Sequence, residues 1–161
     1  TITHLQPHQV IDAKYLISAV AQRIYYPGKT PEYFYDALEE EGELRDIDDF
    51  QQIYERNHGI FLVVLDDDRL VGTGALKRMD PSTAELKRLW LLEEYHGRGI
   101  GYQVVMRLFA FAREKGYSSI RLQTGPEQTR AITFYKKLGF HEIECYNDIT
   151  DEISMEILLF P

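Results

Sequence analysis

Residues 83–115 read TAELKRLWLLEEYHGRGIGYQVVMRLFAFAREK. Three elements follow one another here with little between them. Thr83 to Leu92 reads as a strand, and strict alternation puts Leu86, Arg88, Trp90 and Leu92 on one face and Glu85, Lys87, Leu89 and Leu91 on the other. His96-Gly97-Arg98-Gly99-Ile100-Gly101 is a glycine turn. From Ile100 to Lys115, Val104, Val105, Leu108, Phe109, Phe111 and Ala112 return at helical spacing, and Gly116 is placed to end the helix. Strand, glycine turn and helix in that order make the setting in which backbone N–H groups and a helix N-terminus hold phosphate. Taken alone, the glycines equally suit a plain tight bend.

Working outward toward the N-terminus, Ile60 to Leu65 is a continuous apolar run that predicts a buried strand. Asp66-Asp67-Asp68 turns it into a second strand, Leu70 to Arg78, as a hairpin. Ile2 to Leu5 is a short strand, and His8 to Tyr25 a helix closed by Pro27-Gly28. Pro31 to Asn57 has a short-helical pattern in which Asp46 is placed to cap a helix carrying Phe50, Ile53 and Tyr54. Toward the C-terminus, Ser119 to Gln123 is a strand and Thr129 to Leu138 a helix stopped by Gly139. Phe140 to Tyr146 and Ile153 to Phe160 close the chain as strands. This order predicts a mixed sheet with helices on it rather than a parallel alternation.

The chain has 161 residues, a length that suits one domain over 1–161, and neither a repeat nor a Pro/Gly/Ser linker divides it. Ile60 to Leu65, the longest apolar run, is far too short to cross a bilayer, and Thr1 to Leu5 lacks the pattern of a leader. One cysteine, Cys145, excludes an internal disulfide framework and a cysteine zinc cluster, so a reduced cytoplasmic setting is expected. His4, His8, His58 and His141 show no ligand spacing, and no metal is expected. The net charge of −8 argues against nonspecific nucleic-acid binding. It suits a cationic substrate, and it equally suits plain solubility. Glu39-Glu40-Glu41 and Asp66-Asp67-Asp68 read as a loop and a hairpin turn.

Three phosphate-binding patterns compete for the turn. The dinucleotide pattern G-x-G-x-x-G fails in both registers, ending on Tyr102 from Gly97 and on Val104 from Gly99. The Walker pattern fails because no Gly-Lys-Ser/Thr triplet exists. In the third, [QR]-x-x-G-x-[GA], Gly99 and Gly101 supply the glycines, while His96 stands where Gln or Arg is usual and Arg98 offers a cation. A second segment has the form N-x-x-A-x-x-F-Y-x-x-x-G-F. Residues 128–140 fit it through Ala131, Phe134, Tyr135, Gly139 and Phe140, with Gln128 in place of Asn. Together the two segments and the element order resemble the GNAT N-acetyltransferase superfamily over nearly the whole chain.

The resemblance implies an α/β (mixed α+β) fold: a central, twisted, mostly antiparallel sheet of about seven strands with about four helices, splayed at the acyl-CoA site, often through a bulge. It implies acetyl-CoA as co-substrate and direct transfer to an amine. The N–H groups of Gly97, Arg98, Gly99, Ile100, Gly101 and Tyr102 would hold the pyrophosphate, with His96 beside them. The pantetheine arm would lie along Leu89 and Leu91, the Leu91 N–H serving as oxyanion donor to the thioester carbonyl. Gln128, Ala131 and Tyr135 would meet the cofactor from the second segment. Tyr135 matches the family's acid near the sulfur, although it also suits a core aromatic beside Phe134. Glu85 stands where histone-type members carry a glutamate base, with Lys87 favouring its charged form, although a surface ion pair explains the two equally well. Glu93, Glu94 and His96 are alternative bases.

Cys145 reads as packing within a strand. Tyr25 to Asn57 and the final hairpin would form the acceptor site, with Tyr25, Tyr26, Tyr33, Phe34 and Tyr35 as walls and Glu39 to Glu41 attracting a cation, unless these aromatics simply pack helices on the sheet. The partner implied is a small-molecule amine, with neither nucleic acid nor membrane; a homodimer is admitted. A peptide N-terminus or lysine as acceptor, and acyl-CoA sensing without turnover, are the alternatives.

Overall fold

The computed structural model describes residues 1–160. Strands β1 (Ile2–His4), β2 (Ile60–Asp66), β3 (Arg69–Asp80), β4 (Thr83–Leu91), β5 (Ser119–Thr124), β6 (His141–Ile143) and β7 (Ile153–Leu158) form one sheet in the order β1-β2-β3-β4-β5-β7-β6. Neighbours pair antiparallel throughout except β4 with β5, which run parallel. The helices are α1 (Val10–Tyr25), α2 (Pro31–Glu41), α3 (Arg45–Asp48), α4 (Phe50–Ile53), α5 (Ile100–Glu114) and α6 (Thr129–Leu138). The mixed, mostly antiparallel seven-stranded sheet agrees with the sequence reading. The helix number is six rather than about four, because residues 42–57 break into single turns.

Both faces of the sheet are covered, which explains why β2 lacks polar alternation. Ile60, Leu62 and Val64 pack with Val104, Val105 and Leu108 of α5, while Phe61 and Val63 pack with Leu16 and Ile17 of α1 and Ile47 of α3. Thr30 caps α2 by accepting the Tyr33 N–H at 3.1 Å, and Gly42, with a left-handed φ of 73°, ends it.

Four expectations need correction. Asp46 lies inside α3 and caps nothing; its carboxylate meets Tyr54 and Arg88 instead. Glu39 to Glu41 form the last turn of α2 rather than a loop, and Glu39 is drawn to Lys14. β6 stops at Ile143, and the polar stretch after it leaves Cys145 exposed. There the Cys145 thiol lies 3.0 Å from the Asn147 carbonyl oxygen instead of packing in a strand. The fourth correction concerns the faces of β4. Thr73 pairs Trp90 but Ala75 pairs Lys87, so Arg88 and Leu89 together oppose Gly74 in a β-bulge, and Arg88 has a φ of 56°. The extra residue reverses the alternation. Leu86, Leu89 and Leu91 therefore share the α5 side, whereas Arg88 joins Trp90 on the side of α1 and α3.

Candidate active site

β4 and β5 hold together only at Thr83–Ser119, Ala84–Ile120 and Glu85–Arg121. Past Glu85 each strand stays with its outer neighbour, β4 with β3 up to Leu91 and β5 with β7 up to Thr124. The sheet thus parts from the inside, and the facing edges of β4 and β5 have backbone groups free to accept an extended ligand as an added strand. The Leu92 N–H is turned outward to the Val71 carbonyl at 3.0 Å. Alternation along the strand accordingly sends the Leu91 N–H toward the opening.

The chain leaves β4 through a short turn, Glu93–Tyr95, and reaches the glycines. Gly97 and Gly99 adopt φ values of 77° and 76°, a left-handed conformation that costs a residue with a side chain about 1–2 kcal/mol. His96 ties the turn back to the strand, its Nε2 lying 2.9 Å from the Leu91 carbonyl oxygen, while its buried Nδ1 has no partner among the described residues. The N–H groups from Gly97 to Tyr102 find no acceptor among the described residues; the next one, of Gln103, bonds to the Gly99 carbonyl at 3.0 Å. Six consecutive free donors at the positive end of a 15-residue helix make an anion cradle. Arg98 adds a cation, its guanidinium standing over the Tyr95 ring at 5.1 Å. Such a row suits the diphosphate of coenzyme A, and the opening beside it suits an extended pantetheine arm.

α6 closes on the turn: a methyl group on Gly101 would lie 3.7 Å from the Phe134 ring. Ala131, on the same helix, packs against the main core. Tyr135 is buried with its ring 5.7 Å from both Phe134 and Phe140, and its hydroxyl has no hydrogen-bond partner among the described residues. Burial pushes its pKa up, so the hydroxyl keeps its proton. Gln128, at the start of α6, donates from its side-chain amide to the Tyr25 hydroxyl at 2.7 Å. That nitrogen is accordingly engaged with α1 rather than turned to the opening.

Glu85 lies at the last β4–β5 pair, just where the strands part. Its closest partner is Tyr146, whose hydroxyl donates to Glu85 Oε2 at 2.6 Å, while Lys87 Nζ stands off at 3.9 Å. Burial, reinforced by Glu85, pushes the Tyr146 pKa up. Glu152 is raised above the usual carboxylate range, first by burial and then by Asp151, with Glu127 and Glu85 adding to it. Asp151, Glu127 and Glu85 are thus all close enough to Glu152 to oppose its charge.

The remaining expected residues lie elsewhere. Glu93 and Glu94 are in exposed ion pairs with Arg23 and Arg69. Among the five aromatics expected as acceptor walls, Tyr25 contacts Gln128, whereas Tyr26 stacks on Phe34 at 5.4 Å and Tyr33 lies exposed under Lys29. Tyr146 and Glu152 come from a polar stretch with no periodicity, and no local spacing marks them.

The model of the acetyltransferase (GNAT) family matches residues 24–140. A mouse protein, probable N-acetyltransferase family 8 member 5, is 34% identical over 110 residues, which are 65% of this chain and 48% of that protein. Rat N-acetyltransferase 8 is 32% identical over 126 residues, 72% of this chain and 57% of its own. The chain spans about half the length of the curated relatives it matches. Among solved structures, a GNAT-family acetyltransferase of Staphylococcus aureus superimposes with a TM-score of 0.85 at 18% identity, covering 99% of both chains. The PaiA N-acetyltransferase of Thermoplasma acidophilum, in complex with coenzyme A, does so with 0.79 at 24% identity over 98% of each. These two share the fold.

Proposed function

Because the chain belongs to the acetyltransferase (GNAT) family, we propose that it transfers the acetyl group of acetyl-CoA to a primary amine on a small molecule of amino-acid or polyamine type. The observation that carries this reading is the unbroken row of free N–H groups from Gly97 to Tyr102 beside the parting of β4 and β5. Bound acetyl-CoA supplies an activated acyl group as a thioester. The turn binds and orients its diphosphate through backbone donors, with Arg98 adding charge. Leu89 and Leu91 present the strand edge, and the Leu91 N–H is placed to stabilise negative charge on the acyl oxygen.

An amine with a pKa of roughly 10 arrives protonated near neutral pH, so a base has to take a proton before attack. Glu85, at the mouth of the opening, fills that role in this reading. Tyr135, protonated and without a partner among the described residues, is the donor for the departing sulfur in this reading. The acidic surroundings, Glu85 with Glu127 and Glu152, favour a cationic acceptor over a neutral one.

The test is calorimetric titration with acetyl-CoA followed by a thiol-release assay over a panel of free amino acids, diamines and polyamines, and peptides. Saturable binding with turnover on a small amine is the expected result. Absence of acetyl-CoA binding would refute the reading; binding with turnover only on peptides would move the acceptor to a peptide N-terminus or lysine. Binding without turnover would make the domain a sensor.

A further inference from the structure

Arg88 is the residue at which β4 changes course. Its φ of 56° is unusual for a residue with a side chain, and one-residue slippage at this point decides which face Leu89 and Leu91 occupy. A glycine would take that backbone conformation without strain. The position instead carries an arginine held from several sides. Its Nε and one terminal nitrogen donate to the two oxygens of Asp46 at 3.1 and 2.6 Å, and that terminal nitrogen also donates to the Glu43 carbonyl at 2.6 Å. The Tyr54 hydroxyl donates to Asp46 at 2.6 Å. On the other side, the Thr73 hydroxyl takes hold of the Arg88 carbonyl at 2.7 Å. Tyr54 is 0% and Thr73 1% exposed, and the Arg88 and Asp46 side chains between them are 19% and 20% exposed, so the pair is partly buried at the edge of the packed interior.

A partly buried ion pair is a weak source of stability compared with apolar side chains of similar size. This one spans from the segment of α3 and α4 to the bulge, and the bulge sets the register in which the Leu91 N–H faces the parting of the sheet. We infer that Arg88, held by Asp46 and Tyr54, is a positioning residue for acyl transfer, which aims the Leu89–Leu91 edge of β4 at the acyl group. The inference rests on the acetyl-CoA reading above and adds to it the part of the chain that sets the geometry. Arg88 touches neither reacting partner in this account; it acts through Leu91. Misaiming a reacting group by an ångström costs on the order of a hundredfold in rate, whereas binding of the diphosphate at the turn is untouched by it.

The experiment compares wild type, Arg88→Lys and the double variant Arg88→Gly/Asp46→Asn. The double variant keeps the left-handed backbone accessible and leaves no lone buried charge, so it avoids the main causes of misfolding; its fold is checked by circular dichroism. Coenzyme A and acetyl-CoA are titrated separately by calorimetry, and kcat and KM are measured for the best amine. The expected result is unchanged affinity for coenzyme A, a loss of up to about tenfold in affinity for acetyl-CoA relative to it, as one misaimed hydrogen bond gives, and a fall in kcat of about tenfold or more. Arg88→Lys, which keeps the charge and loses the fork, falls between. A role confined to stability predicts a lower melting temperature with kcat and the ratio of the two affinities unmoved, and that outcome overturns the inference while leaving the acetyl-CoA reading intact. Wild-type protein that binds neither ligand overturns both.

Discussion

Gly74 lies directly opposite the β4 bulge, between the pairs Thr73–Trp90 and Ala75–Lys87, and replacing it by alanine tests how tightly α5 is seated there. An added Cβ would stand 2.6 Å from Val104 Cγ1 and 3.3 Å from Leu89 Cδ1. The first separation is well inside van der Waals contact. Val104 is 2% exposed and, being β-branched in a helix, has essentially one rotamer, so it has no way to swing aside. Gly74→Ala is therefore an overpacking change and should cost about 1–3 kcal/mol. Val104→Ala alone removes two buried methyl groups, about 0.8 kcal/mol each in transfer, and leaves a cavity that adds to the loss. In the double variant the new methyl group enters the space that the old one vacated. The two costs should then fail to add, with a coupling of about 1–2 kcal/mol in favour of the pair, inside the range seen for residues in contact. Equilibrium urea unfolding of all four proteins measures this, provided the m-values agree. Because α5 begins at the glycine turn, acetyl-CoA affinity should fall in Gly74→Ala and recover in the double variant. Additivity within about 0.5 kcal/mol would refute the reasoning.

Tyr135→Phe removes a buried hydroxyl without a partner among the described residues, so unfolding free energy should hold or rise. Turnover should drop with acetyl-CoA affinity retained, and steady-state kinetics beside calorimetry would show it; an equal rate would remove Tyr135 from the reaction. Glu85→Gln should lower kcat by about 10²–10⁴-fold; an unaltered kcat places the base elsewhere. For Asp46, burial works to raise the carboxyl pKa, yet the Arg88 guanidinium forked across it outweighs that and holds it below the usual range. A depressed folded value means stabilisation that is present above the unfolded pKa of about 3.9 and lost as pH falls below it. Urea stability of the wild type should therefore drop below about pH 4, and Asp46→Asn, already weakened at pH 7 by about 1–3 kcal/mol because the partly buried Arg88 loses its counter-charge and keeps the Glu43 carbonyl, should show less of that drop.

Local physics accounts for what could be read in advance. Glycines at turn positions, apolar periods of 2 and 3.6, and the fit of residues 128–140 are properties of neighbouring residues, and they located all seven strands, the turn and the long helices α1 and α5. The cofactor end of the proposed site was legible for the same reason, since backbone donors at a helix start depend on where the helix begins. The extent of β6 was not, and Cys145 was misplaced with it, because the polar residues after Ile143 give strand pairing no apolar face to bury. Alternation along β4 also failed, at Arg88, where the bulge is held by an aspartate 42 residues away. Likewise Tyr146 reaches Glu85 across 61 residues and Gln128 reaches Tyr25 across 103. Neighbouring residues alone thus place the strands and long helices, put the glycine turn between β4 and α5, and point to the family. Which side of β4 faces the opening and which groups surround Glu85 depend on the packed chain, because a bulge and a long-range hydrogen bond form only where packing has already brought distant segments together.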